Sequence, residues 1–475
     1  MLVERVRIPS LLAGFLALGV LAALRPDYVL LLPAAALALV FLFSWRAAVY
    51  LLLVAVTFNR LSFNVSSTNL RPEMLAVLIG AAAALLFWLS RNKWQNDVTV
   101  RFTFGAPSIA IALFFVYTYI VSYWNSPVFS YSVAGMIQLA LASMGFFVMT
   151  QVAGFDRNRI HSYVGFYIGL TVFQSVYALL CFLYNKTTGQ FLFGEKYGGL
   201  MTGQISGVDW SSITWRGGLY EANLFSAYLG AGIVFLVTVI VARVQPRQTP
   251  LLFLGMLLAV VGIVMGWTRS AWIGTALGVA FTSLFYVRKW VHPRNVVLFG
   301  GLAAALVPIF VFVESIFDQT SGRKGLLTSK LMNLFNSEEG TGKFRAEKFQ
   351  FAWDNWLNGH PIAGNGYFSI KVYNPDEWVT SMFLAILHDS GLIGLCLFVF
   401  AVGYVFFYGL RAALVTSDAK HRAYLLGMVG GLLVLLLSYN FSPGHTLAMF
   451  WVHLGLIYAL ASKERIREGE AVHER

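Results

Sequence analysis

Long apolar stretches separated by short polar breaks run along almost the whole chain. A helix that crosses the hydrocarbon core of a bilayer needs about 20 apolar residues, within a range of about 17–25. About fourteen stretches approach that length, near 8–24, 28–45, 46–58, 74–90, 106–124, 131–153, 161–184, 219–242, 250–267, 271–287, 295–314, 391–410, 423–440 and 446–462. Only Trp45 and Arg46 separate the second stretch from the short third, so these two form a tight hairpin or one unit. The expectation is about 12–14 spans. Two breaks are longer than ordinary turns, 185–218 and 315–390. The second contains FRAEKFQFAWDNWL, in which Phe344, Phe351, Ala352 and Trp356 recur at helical spacing. That predicts an amphipathic helix lying against the membrane. The turn-rich GHPIAGNGYFSI follows, and then a short helix over 378–390 leading into the span at 391. The chain therefore divides into spans over 1–314 with a loop near 185–218, a loop subdomain over 315–390, and last spans with a tail over 391–475.

Composition sharpens this picture. Of 475 residues, 58% are hydrophobic and 12% charged, against about 25% charged in ordinary soluble domains. The mean hydropathy is +0.69. No single soluble core buries so much apolar surface, so the predicted fold class is an all-α polytopic membrane protein. Cys181 and Cys396 sit in apolar runs and read as packing residues, with no metal or redox motif around them. The net charge of +12 accompanies no nucleic-acid motif, and nucleic acid is not an expected partner. The positive charge instead sets topology: short breaks such as RKWVHPR and the tail SKERIREGEAVHER are basic, which places both termini in the cytoplasm. MLVERVR and the apolar run behind it are read as an uncleaved first helix, because further spans follow at once. The breaks at 185–218 and 315–390 then face outward.

Candidate chemistry is sparse. There is no nucleotide-binding loop, no HExxH, no GxSxG and no close set of metal ligands. Span centres carry almost no charge, which weighs against an ion-driven transporter. The unusual charges lie at the outer ends of spans. Arg216, Glu221 and Asn223 lead into one span, and Arg269 sits between two apolar segments joined by almost nothing. Arg345 begins the amphipathic helix. The bland alternatives are an interfacial anchor, a carboxylate complementing a helix dipole and a solvated helix face. Three guanidinium groups at one face match a large anion, since the guanidinium fork suits phosphate oxygens. A lipid pyrophosphate fits this arrangement, with its tail in the bilayer and its head at the outer loops.

The order of these segments resembles the O-antigen polymerase and ligase superfamily, bacterial membrane glycosyltransferases that use undecaprenyl-pyrophosphate glycans. The resemblance covers roughly 205–410; the first two hundred residues match only in hydropathy. It rests on an Arg-Gly segment before an Asn-containing helix start (Arg216, Gly217, Glu221, Asn223) and a tight turn (Thr268, Arg269, Ser270). The long loop follows, with Arg345, Trp353, Pro361, Gly364 and Gly366, and ends in Gly391, Leu392 and Gly394. In the family's ligases a histidine precedes the last glycine pair at a fixed spacing; here Thr380 and Ser381 stand at that place. A threonine hydroxyl is a poor base, and this departure favours a polymerase.

The resemblance implies metal-independent transfer of a glycan from undecaprenyl pyrophosphate to a sugar hydroxyl, without a cofactor. Arg216, Arg269 and Arg345 would stabilise the pyrophosphate leaving group, and a carboxylate or imidazole would take the hydroxyl proton. Glu221 is the first candidate base, followed by Glu377 with Asp376, and then His360. His388 and His445 read as packed or capping histidines. Trp215, Tyr220, Asn223, Tyr367 and Thr380 are candidate substrate contacts, although aromatics at span ends also form interfacial belts. The implied setting is the bacterial inner membrane with the site facing the periplasm. The implied partners are the lipid-linked oligosaccharide, the bilayer, a chain-length regulator and a flippase. The alternatives are a ligase that moves finished glycan to lipid A-core or another acceptor, and a lipid-linked glycan transporter.

Overall fold

The structure is a computed structural model describing residues 40–60, 63–65, 68–91, 102–193, 198–205, 208–321, 325, 328, 341–373 and 379–473. The first expected span and residues 28–39 of the second lie outside the described residues. The described chain is an all-α polytopic membrane protein. Its helices are α1 (Trp45–Ala55), α2 (Pro72–Leu89), α3 (Ala106–Asn125), α4 (Phe129–Phe155), α5 (Ile160–Thr188), α6 (Ala222–Ala242) and α7 (Thr249–Met265). They continue with α8 (Arg269–Leu284), α9 (Val287–Trp290), α10 (Pro293–Ser321), α11 (Thr341–Asn358), α12 (Met382–Val415), α13 (Ala419–Tyr439) and α14 (Ala448–His473). Among the described residues, 8 helices are long and apolar enough to span a membrane. The expected stretches at 46–58 and 271–287 become α1, with 11 residues, and α8, with 16. Both are apolar but short.

The bundle is organised around α6. Its apolar window is 100% buried, against 39% for α7, and it packs on α13, α7, α8 and α5. The two sequences look alike in hydropathy. They differ in how far the rest of the protein encloses them, completely for α6 and for well under half of α7. Lipid-facing surfaces keep helical spacing: on α3, Ile109, Leu113, Val116, Ile120 and Tyr123 are all exposed. A second packing group joins α14 to α4, and α12 to α3.

The 185–218 break is not simply a loop. Its last part forms an antiparallel hairpin, β3 (Leu200–Ile205) with β4 (Val208–Trp215), which delivers the chain to the start of α6. A shorter hairpin, β1 (Phe63–Val65) with β2 (Thr68–Leu70), precedes α2. The amphipathic helix expected in the long loop is α11, and it packs on α12.

The glycine-bearing segments of that loop form one interlocking unit. Helix α12 begins at Met382 and kinks at Gly391, where φ is 63° and ψ −169°. A kink leaves helical N–H and C=O groups without intrahelical partners. The Pro361–Gly366 turn satisfies them. Asn365 N donates to His388 O at 2.9 Å and Gly366 N to Asp389 O at 2.9 Å, while Leu392 N donates to Pro361 O at 3.1 Å and Ile393 N to Ile362 O at 3.3 Å. The approach excludes side chains: a Cβ on Gly391 would lie 2.2 Å from Ile362 O, and one on Gly364 would lie 2.5 Å from Asp389 O. Phe368 N also donates to the buried Asp389 carboxylate, which pairs with His388 at 2.8 Å. His388 is therefore a packed histidine holding this joint.

Candidate functional site

The starts of α6, α8, α11 and α12, the α13–α14 turn and the start of α2 gather at one end of the bundle. Short polar bridges hold them in register. Asn223 Nδ2 donates to Ser442 Oγ at 3.1 Å, and Thr268 Oγ1 lies 3.1 Å from Asn223 Oδ1 and 3.0 Å from Gly266 O. Ser381, the N-cap of α12, donates to Asn440 Oδ1 beyond the end of α13. Thr380 beside it is buried. Asn223 and Thr380 thus sit in the scaffold of this end.

Glu221 occupies the N-cap position of α6 in extended backbone, and its side chain makes no capping bond. A carboxylate at this position still complements the helix dipole without a capping bond. Its carboxylate also interacts with Arg345 and, more weakly, Arg71. Burial pushes the Glu221 carboxyl up, and those two guanidinium groups oppose the shift. Burial also pulls the Arg345 guanidinium down; Glu221 opposes that, and repulsion from Arg269 reinforces it. Glu221, Arg269 and Arg345 lie far apart along the chain, yet Arg345 is close enough to feel the charge of both of the others.

Arg71 joins this group and was not legible beforehand. It precedes Pro72, the first residue of α2. Its Nη1 lies 3.7 Å from Glu73 Oε1, and its guanidinium sits 5.8 Å from the centroid of the Tyr220 ring. Glu73 is buried at 1% exposure, with Oε2 lacking a hydrogen-bond partner among the described residues. The available signal was Arg-Pro-Glu at a span start, which reads as ordinary helix initiation with Pro at N1 and an acid in the first turn.

The other expected residues divide sharply. Tyr220 is 53% exposed beside Arg71 and remains available to a ligand; its backbone N–H is fixed by Asn59 Oδ1 at 2.9 Å. Trp215 is 2% exposed and its ring packs on Phe182, with centroids 5.6 Å apart. Tyr367 is 1% exposed and stacked on Phe368, its backbone held by Ser122 and Ser132. Both rings are core rather than sugar platforms, because each closes a joint between a loop and the bundle. Arg216 is also buried, and its Nε donates to Gly198 O at 3.3 Å beside β3. That contact ties it to the hairpin side of the junction. His360 is exposed in the turn after α11, where its backbone N–H bonds Asn365 Oδ1 at 2.8 Å. His445 is fully buried, and burial pushes its imidazole down to about 3; it is a neutral packed ring. Glu377 and Asp376 lie outside the described residues.

The assembled group is thus a chain of neighbours: Glu221 interacts with Arg345 and Arg71, Arg345 in turn feels Arg269, and Tyr220 is exposed beside Arg71. Cations exceed acids there even when Glu73 is assigned to Arg71, so the group suits a multiply charged anion. Among the described residues no three His, Cys, Asp or Glu side chains come together as a metal site requires. No family model matches the chain, and no curated protein matches it.

Proposed function

We propose that this protein polymerises lipid-linked polysaccharide repeat units in the bacterial inner membrane, with the arginine group facing the periplasm. The observation that carries the reading is the clustering of charge at the end of an otherwise apolar bundle, where Glu221 interacts with Arg345 and Arg71, and Arg345 with Arg269. A diphosphate on a polyprenyl tail suits that position, because its tail partitions into lipid while its head reaches the guanidinium groups.

In the proposed reaction, an acceptor sugar hydroxyl attacks the anomeric carbon of the glycan on undecaprenyl pyrophosphate. A new glycosidic C–O bond forms as the bond to the pyrophosphate oxygen breaks. Arg269, Arg345 and Arg71 stabilise the charge developing on that leaving oxygen. Glu221 takes the hydroxyl proton, and its raised carboxyl makes it a stronger base than an exposed glutamate. Tyr220 offers a ring to the sugar. The oligosaccharide carrier lipid is the substrate, and a chain-length regulator and a flippase are the expected partners.

The test is gel analysis of surface and lipid-linked glycan from a strain lacking the protein. Accumulation of single repeat units on the carrier is the predicted result. Full-length polymer on the carrier would instead assign the chain to ligation. Unchanged glycan would remove the protein from the pathway.

A further inference from the structure

The opposite end of the same helices holds a second basic site. A cavity of about 570 Å³ opens between the α8–α9 junction and the α12–α13 turn, within the size range of small-ligand pockets. Arg288, Lys289 and Arg422 stand in its wall with Tyr286. Among the described residues no carboxylate lies within ion-pair distance of these three cations. Arg422 Nε and the hydroxyl of Tyr286, a residue 8% exposed, are both buried without a hydrogen-bond partner among the described residues. Asp418 is the nearest acid along the chain, and its Oδ1 is committed to capping α13 through Lys420 N at 2.9 Å and His421 N at 3.3 Å. The Lys289 ammonium is pulled down by burial and further by Arg243 and Arg422, a repulsion that a bound anion would relieve. Leu284 and Val287, also in the wall, are 72% and 59% exposed, so apolar surface adjoins the cations.

We propose that this cavity binds the phosphate of an anionic phospholipid, with Arg288, Lys289, Arg422 and the Tyr286 hydroxyl holding the headgroup and Leu284 and Val287 meeting its acyl chains. Lys289 Nζ donates to Ala242 O at 3.0 Å, but the unpaired charges of Arg288 and Arg422 and the orphan Arg422 and Tyr286 donors call for an anion with several acceptor oxygens. The exposed apolar wall favours a lipid over a soluble phosphate. Basic pockets between membrane helices recognise headgroups in this manner. The inference stands independently of the activity proposed above.

The test uses the purified full-length chain in detergent, with native mass spectrometry reading bound phosphatidylglycerol against phosphatidylcholine. Wild type is expected to retain phosphatidylglycerol about tenfold better, and the Arg288→Gln/Arg422→Gln variant is expected to lose that preference. Lys289→Gln, at an exposed position, should lose about fivefold, with its melting temperature measured alongside because Lys289 also bonds Ala242 O. Arg247→Gln, at the same end but outside the cavity wall, should behave as wild type. Equal retention of the two lipids by wild type, or an unchanged preference in both cavity variants, overturns the proposal. Inorganic phosphate that displaces phosphatidylglycerol and alone raises the melting temperature of wild type, but not of the variants, overturns the lipid assignment in favour of a soluble phosphate.

Discussion

Helix α8 begins at Arg269 and ends at Leu284, so about 23 Å of one helix separates two basic sites. At its start, Arg269 neighbours Arg345, which in turn interacts with the Glu221 carboxylate that Arg71 also approaches. At its end, Arg288, Lys289 and Arg422 line a cavity, and among the described residues no acid is paired to them. The first site combines cations with a carboxylate that burial has made more basic. The second combines cations with hydroxyl and apolar surface only. An anion could be held at either end, but only the first offers a group able to remove a proton. The difference separates a place suited to reaction from a place suited to binding.

Arginine removal should break the comparison most forcefully. Arg269→Ala or Arg345→Ala is expected to lower glycan extension by about 10²–10³-fold, as loss of one preorganised charge donor does, while Arg288→Gln leaves extension near wild type. Repeat-unit ladders from complemented null strains, normalised to membrane-inserted protein, give the reading. Comparable losses at both ends would erase the distinction.

The carboxylate sharpens it further. Glu221→Gln should cost about 10²-fold or more if it removes the general base. Its pKa is raised, and only the deprotonated form accepts a proton. Wild-type activity should therefore fall as pH drops through a value above the ordinary glutamate pKa of about 4.3. In Glu221→Gln that acid limb should vanish. A pH profile of residual activity that keeps the same limb would assign the base to another group.

Stability effects come next. Gly391→Ala places a Cβ against Ile362 O at a positive φ and should cost about 1–3 kcal/mol. Gly403, in the same helix with open space around it, should accept alanine with a gain of about 0.5–1 kcal/mol. Thermal unfolding of the two variants in one detergent compares them. The smallest effect belongs to Tyr367→Phe. Its hydroxyl is buried without a partner among the described residues, so removal should be near neutral for stability and leave KM for the lipid-linked substrate unchanged. A raised KM would return Tyr367 to the substrate site.

Most spans were legible because a run of about 20 apolar residues has few alternatives to a membrane helix. Length alone could not distinguish α6, completely enclosed by the rest of the protein, from α7, enclosed for well under half. The β3–β4 hairpin escaped because its alternation changes phase. Val208 and Trp210 are followed by Ser211 and Ser212 before Ile213 and Trp215, and the pairing shifts at that place, from Gly203↔Trp210 to Thr202↔Ile213. An insertion of this kind hides a period of two. The site was partly legible: Glu221, Arg269 and Arg345 were marked by charge at span ends, but their grouping depends on tertiary packing. Arg71 was hidden by an ordinary helix-start pattern. Trp215 and Tyr367 misled because an aromatic at a membrane boundary looks the same in sequence whether it faces a ligand or closes a joint.

The central claim is that the Arg71, Arg269, Arg345 and Glu221 group holds the pyrophosphate of a lipid-linked glycan during transfer. Its most direct test is extension of a purified undecaprenyl-pyrophosphate-linked repeat unit by the full-length protein in bilayers, following released undecaprenyl pyrophosphate alongside lengthened glycan. Wild type should form both together, and an Arg269→Ala/Arg345→Ala variant that inserts and melts like wild type should form neither. Equal product from that variant, or no product from wild type supplied with its native repeat unit, would contradict the account.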